Sequence, residues 1–178
     1  MALTDEMIAM LSAGVAHQVG GCTNAGRPVV CRGLAAQHEA GRLLVIISSE
    51  SGFEVLDAIR QNGNIALNIT LPANYRSISF VGNDAIVRGS GVAWRPLVAE
   101  RHEAFRLQLN RYGFPPEYTD AWYHARDEDL IAIRFTPMLA RNQTPGPGAG
   151  NAITLKPIEF EKGAPCSTTG CRCSACAA

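Results

Sequence analysis

The chain has 178 residues, 47% hydrophobic and 18% charged, a length that fits one domain and a composition that supports a packed core rather than a disordered chain. Sixteen Lys and Arg balance sixteen Asp and Glu, so no basic stripe is available to hold nucleic acid or an anionic membrane by charge, and both partner classes are set aside. Apolar runs such as Leu43–Ile47 are strand-sized, far short of the roughly 20 residues that span a bilayer. The opening Met-Ala-Leu-Thr-Asp-Glu-Met carries acids where an export signal carries basic residues, and the expected location is the reducing cytoplasm.

Thr4 is placed to cap a short helix with Asp5 and Glu6 in its first turn, Met7, Ile8 and Leu11 on one face and Gly14 as its stop. Strands are then expected near 15–22, 28–36, 42–48, 64–70, 76–82 and 84–92, parted by turn signals at Asn24-Ala25-Gly26, Glu39-Ala40-Gly41, Asn62-Gly63 and Gly82-Asn83-Asp84. One helix interrupts them from about Gly52 to Gln61, with Val55, Leu56 and Ile59 inward. A second helix over 95–110 spaces Leu97, Val98, Phe105 and Leu109 at helical intervals and stops at Gly113-Phe114-Pro115-Pro116. A shorter helix is expected around Glu117–Ala125, a strand at Leu130–Phe135 closed by Pro137, then a Gly/Pro-rich run over 143–150 and a further strand at 152–160.

Many short strands in hairpin order with few, peripheral helices predict a mainly β, α+β protein: an antiparallel barrel, closed or partly closed, whose closure removes exposed edges. A doubly wound parallel sheet would need helices between nearly all strands.

The succession of Gly26-Arg27-Pro28-Val29-Val30-Cys31-Arg32, Gly41-Arg42-Leu43-Leu44-Val45, a serine-rich turn, a short helix ending in Ile59-Arg60-Gln61-Asn62, and Arg76-Ser77-Ile78-Ser79-Phe80-Val81-Gly82 resembles the pyridoxamine-phosphate-oxidase-like, flavin-binding split-barrel superfamily. The run Gln143-Thr144-Pro145-Gly146-Pro147-Gly148-Ala149-Gly150 resembles the C-terminal signature of one branch. The resemblance covers about residues 3–150 and divides the chain into a flavin-binding split-barrel domain, 1–150, and a C-terminal extension, 151–178. It implies a six-stranded split β-barrel that forms a homodimer, with a flavin, usually FMN, at each of two sites along the interface. Carried over residue by residue, it puts the cofactor phosphate on Arg32 and on the turn of Ser48, Ser49 and Ser51. It puts Arg76 and Ser77 near the ring or the neighbouring subunit. Glu54 stands where that family more usually has Lys or Arg, which leaves FAD open beside FMN.

The residues give a physical reading of their own. Hydroxyl-bearing residues at 48–51 open a helix whose first N–H groups and partial positive charge suit a phosphate, and Arg32 adds a planar, bidentate donor. The plain alternative is a serine cap and a solvated arginine. Gly146 and Gly148, beside Gln143 and Thr144, lack the strand–G-x-G-x-x-G–helix setting of a dinucleotide turn, and suit a close backbone approach to a planar ring or a partner subunit.

His17, His38, His102 and His124 form no metal-binding pair; one or two of them could serve a non-covalent haem, against the ordinary reading of hydrogen-bonded or surface histidines. Trp94 and Trp122 are expected to pack at a barrel end or interface, the alternative being a cover for a flavin ring. Cys166, Cys171, Cys173 and Cys176 crowd the tail, where soft thiolates suit an iron–sulfur cluster or zinc; a segment with free thiols is the alternative. The expected function is a dimeric flavin-dependent oxidoreductase or electron-transfer protein, with a small-molecule or protein electron donor and acceptor and a cysteine-bound cluster. The alternative is a non-catalytic flavin- or haem-binding module with a zinc-binding or unstructured tail.

Overall fold

The computed structural model describes residues 3–155. Helix α1 (Asp5–Leu11) starts where the sequence places it: the Thr4 hydroxyl accepts from the Met7 N–H at 3.3 Å, and Met7, Met10 and Leu11 are buried. Strands β1 (Ala16–Cys22), β2 (Pro28–Glu39) and β3 (Arg42–Ser48) follow as hairpins. Helix α2 (Phe53–Asn62) ends at Gly63, whose φ of 72° lets its N–H return to the Ile59 carbonyl at 2.8 Å. Then come β4 (Ile65–Thr70), β5 (Ser77–Gly82) and β6 (Ile86–Ser90), helices α3 (Arg95–Asn110) and α4 (Pro116–Tyr123), and strands β7 (Leu130–Phe135), β8 (Leu139–Asn142) and β9 (Ala152–Ile153).

The expected six barrel strands are nine among the described residues, all in one antiparallel sheet of order β6-β7-β3-β2-β1-β4-β5-β8-β9. The sheet is curled but its ladder is not closed. Its order explains the curl. β5 and β6 are six positions apart in the sheet, roughly 29 Å if it lay flat, yet residues 83–85 alone connect them, a reach of about 14 Å. Residues 136–138 make the same short passage from β7 to β8. The two connections meet at Asp84, whose carboxylate accepts from the Thr136 N–H and hydroxyl, each at 2.7 Å, while the Met138 N–H donates to the Val81 carbonyl at 2.8 Å. Gly82 permits this approach, since a Cβ there would stand 2.6 Å from Phe135 Cδ2. Short β8 carries no strong strand signal, and of the strand expected at 152–160 only Ala152–Ile153 forms, as β9; residues 154 and 155 are not strand and 156–160 lie outside the described residues.

Curling gives the sheet two environments. Inside, Val19, Val45, Leu67, Phe80 and Phe135 share one core with α1 and α2. Outside, Leu34, Ala35, Leu44 and Ile46 pack under Val98, Phe105 and Tyr123 of α3 and α4 in a second core. β3 is therefore buried on both faces, which is why 43–47 reads as an unbroken apolar run. β4, by contrast, alternates buried and half-buried residues because its outer face is uncovered. No helix among the described residues is long and apolar enough to cross a membrane.

Candidate functional site

Arg32 lies on the outer face of β2, one residue before Gly33, where the β2–β3 register shifts and Leu34 is the extra residue. Such a bulge re-aims the side chains around it. Next along the sheet, β3 ends at Ser48, and the chain turns through 49–52 into α2. Arg32, Ser48, Ser51, Trp122 and His124 line one cavity of about 410 Å³. Three of the four residues expected to hold a phosphate thus meet at one place.

Ser49 does not line that cavity. Its N–H donates to the Asp129 carbonyl at 2.8 Å and its hydroxyl to Asp129 Oδ1 at 3.0 Å, tying the turn to the segment before β7. The Arg126 guanidinium, 2.6 Å from Asp129 Oδ2, holds that carboxyl below the usual range, with the Ser49 hydroxyl contributing. Nor do the serines cap α2: its N-cap residue is Gly52 and no side chain bonds its first turn, so the helix start offers N–H groups to something else. Gly52 is required there, because a Cβ would lie 2.7 Å from both Ile47 Cδ1 and the Ser48 carbonyl oxygen. Glu54, the departure from the family pattern, pairs with Arg27 at 2.9 Å.

Arg32 itself is held by Trp122. Its Cζ sits 4.1 Å from the centre of the indole ring and its Nη1 donates to the Trp122 carbonyl at 3.0 Å. No ion pair is recorded for it among the described residues.

The remaining predicted residues gather elsewhere. The Ser77 N–H donates to the Thr144 hydroxyl at 3.0 Å, the Gln143 N–H to the Ser77 carbonyl at 2.8 Å, and the Gln143 side-chain amide reaches the Ser79 hydroxyl at 3.4 Å. Arg76 and Thr144 line a cavity of about 450 Å³ with Asn74 and Asn142, and Arg76 pairs with Glu6 at 2.5 Å. Asn142 organises the glycine loop: its Oδ1 accepts from the Thr144 N–H at 2.9 Å and its carbonyl from the Gly150 N–H at 2.7 Å. Gly146 and Gly148 have φ of 126° and 93°, the left-handed backbone that explains glycine at both. Arg32 on β2 and Ser79 on β5 lie three strands apart in the sheet, roughly 14 Å. Within one chain the two groups of predicted residues are therefore separate.

Of the histidines, His17 is buried on the inward side of β1, with burial, helped by Arg101, pushing its pKa down to about 3. His102 lies 3.1 Å from Asp120 and stacks on Tyr123, and His124 lines the Arg32 cavity. Trp94 donates its ring N–H to the Gly89 carbonyl at 3.0 Å. Trp122 and His124 were legible only as an aromatic and an isolated histidine, since nothing in the sequence ties residues 122–124 to 32. Among the described residues no group of three or more His, Cys, Asp or Glu is arranged to hold a metal. Cys166, Cys171, Cys173 and Cys176, with their expected cluster or zinc, lie outside the described residues.

No family model matches the sequence, and no curated protein matches it. Solved structures do match the fold. HupZ of Group A Streptococcus superposes with a TM-score of 0.51 at 15% identity, covering 83% of this chain and 99% of its own. A putative pyridoxamine 5'-phosphate oxidase from Lactobacillus delbrueckii gives 0.49 at 10% identity, over 78% and 93% of the two chains. A protein from Clostridium acetobutylicum related to general stress protein 26, of the pyridoxinephosphate oxidase family, gives 0.48 at 15%, over 85% and 92%. The fold is shared with HupZ of Group A Streptococcus. At these identities the likeness is one of fold. In this chain α3 and α4 cover the outer faces of β2, β3 and β7, and α4 brings Trp122 to Arg32.

Proposed function

We propose that this split barrel is a flavin-dependent oxidoreductase working as a homodimer, with FMN, or FAD as the alternative, held by its phosphate in the Arg32 cavity. The observation that carries the reading is the cavity itself: an arginine with no recorded ion pair and two serines line one space, and the second serine immediately precedes the uncapped N-terminus of α2. The donor set fits a phosphate, whose oxygens take charge-assisted bonds from a guanidinium and backbone N–H groups.

A bound flavin supplies one- and two-electron transfer. The chain's own residues bind and orient it. Arg32, Ser48 and Ser51 fix the anionic end; Arg76, Ser77, Gln143 and Thr144 form the second half-site, which a partner copy brings opposite the first. The outer face of β1, β4 and β5 supports this assembly. No described helix covers it, and it carries exposed Val30 (73%) and Val81 (39%) near its rim and an apolar cavity of about 400 Å³ lined by Gly20, Ala66 and Val81.

The test is the visible spectrum of protein incubated with FMN or FAD and freed of excess, then its anaerobic response to NADH and NADPH. Retained flavin absorbance that bleaches with a reduced nicotinamide is the expected result. Retained flavin that neither nicotinamide nor a chemical reductant followed by oxygen turns over makes the protein a binding module. No retained flavin overturns the reading.

A further inference from the structure

Trp122 lines two cavities at once, the one of about 410 Å³ with Ser48, Ser51 and His124, and a neighbouring one of about 290 Å³ with Gln18 and Val30. The Arg32 guanidinium stands at their boundary, gripped twice by this single residue. The indole takes its face at 4.1 Å and the Trp122 carbonyl takes one edge donor at 3.0 Å. A guanidinium has five N–H donors in one rigid plane. Stacking uses the face, the carbonyl uses one N–H, and the other donors remain for an anion.

A free arginine loses several rotatable bonds when it closes on a ligand, and that ordering cost subtracts from affinity. Here the ordering is done before the ligand arrives. Trp122 is itself packed in place: its ring centre lies 5.4 Å from that of Phe105 and 5.9 Å from that of Tyr118, and α4 packs on α3 where Tyr123 stacks on His102 at 4.7 Å.

We infer that Trp122 is a positioning residue, which holds Arg32 aimed at the cavity and so gives the site its preference for ligands that carry a phosphate over the same ligands without one. The inference rests on the phosphate reading of the Arg32 cavity given above and goes beyond it by assigning the selectivity to α4.

FMN and riboflavin differ only in the phosphate, so the full-length protein is titrated with each and quenching of flavin fluorescence is followed. Trp122→Leu keeps apolar bulk against Phe105 without a π face, and Trp122→Phe keeps a ring. Loss of the stack is expected to weaken FMN about five- to tenfold in Trp122→Leu, leave riboflavin unchanged, and be largely restored in Trp122→Phe. Thermal unfolding checks that each variant is folded; Trp122→Met, whose flexible side chain fills the same space, takes the place of a leucine variant that does not fold, with the same expected result. An FMN preference that survives in the variant, or equal losses for FMN and riboflavin, overturns the inference and leaves the phosphate reading standing. A wild-type protein with no preference for FMN over riboflavin overturns both.

Discussion

His17 is the residue whose burial has the plainest measurable consequence. It alternates inward on β1 beside Val19, opposite Gly33, where a Cβ would come within 2.7 Å of its own, and neither ring nitrogen has a partner among the described residues. Burial first, and Arg101 second, lower its pKa from 6.5 to about 3. The neutral ring is thus the folded form, whereas the unfolded chain takes up a proton at ordinary pH. Stability contributed by keeping this ring neutral is fully present above about 6.5 and is lost as pH falls from there toward 3. His17→Leu is expected to remove that part of the slope: the difference in Tm between variant and wild type should move in the variant's favour between pH 7 and pH 5, and a constant difference would show that His17 does not titrate on unfolding.

The elements carry a second consequence where the two short connections meet. Asp84, in the β5–β6 connection, binds both the N–H and the hydroxyl of Thr136, just past β7. Its slight burial raises its pKa, but the two Thr136 bonds and Arg42 outweigh this and hold it below 3.8. Asp84→Ala is expected to cost about 1 kcal/mol for an exposed, charge-assisted pair. That loss is full at neutral pH and fades as pH falls below 3.8 toward the lowered folded value, so urea midpoints at pH 7 and pH 3 should differ by less in the acid; equal costs at both would contradict the assignment.

Strand and helix positions were largely legible, because alternation in β4 and the periodicity of 95–110 are local signals. What the sequence did not reveal is long-range. The meeting of the two connections depends on a contact from residue 84 to residue 136, and the cavity on one from 32 to 122. Ser49 looked like Ser48 and Ser51 in the sequence, and only the distant Asp129 separates their roles. Likewise the serine cap that stood as the alternative for α2 does not form, because the turn closes so tightly over Cys31 and Ile47 that glycine takes the N-cap position.

At the scale of the whole molecule, the proposed dimer has a second copy bring the Arg76–Thr144 group opposite the Arg32 cavity, because within one chain the two lie three strands apart. Val30 is exposed on β2 beside Arg32, and Val81 on β5 beside Ser79. The double variant Val30→Glu, Val81→Glu would bring like charges together across a twofold interface and is expected to be monomeric by light scattering at micromolar concentration, with weakened flavin binding, while keeping its Tm within a few degrees. A wild type that is itself monomeric would remove the shared site. The tail cysteines bear on a separate proposal, a cluster or zinc, decided by iron, sulfide and zinc analysis of the intact chain.

The central claim is that Arg32 receives the phosphate of a flavin. Calorimetric titration of the full-length protein with FMN, in parallel with Arg32→Ala, tests it most directly. One FMN per chain is expected for the wild type, with a loss of roughly 1.5–3 kcal/mol of binding free energy in the variant, the range for a hydrogen bond to a charged group. An FMN affinity unchanged by Arg32→Ala, or no FMN binding by the wild type at all, would contradict it.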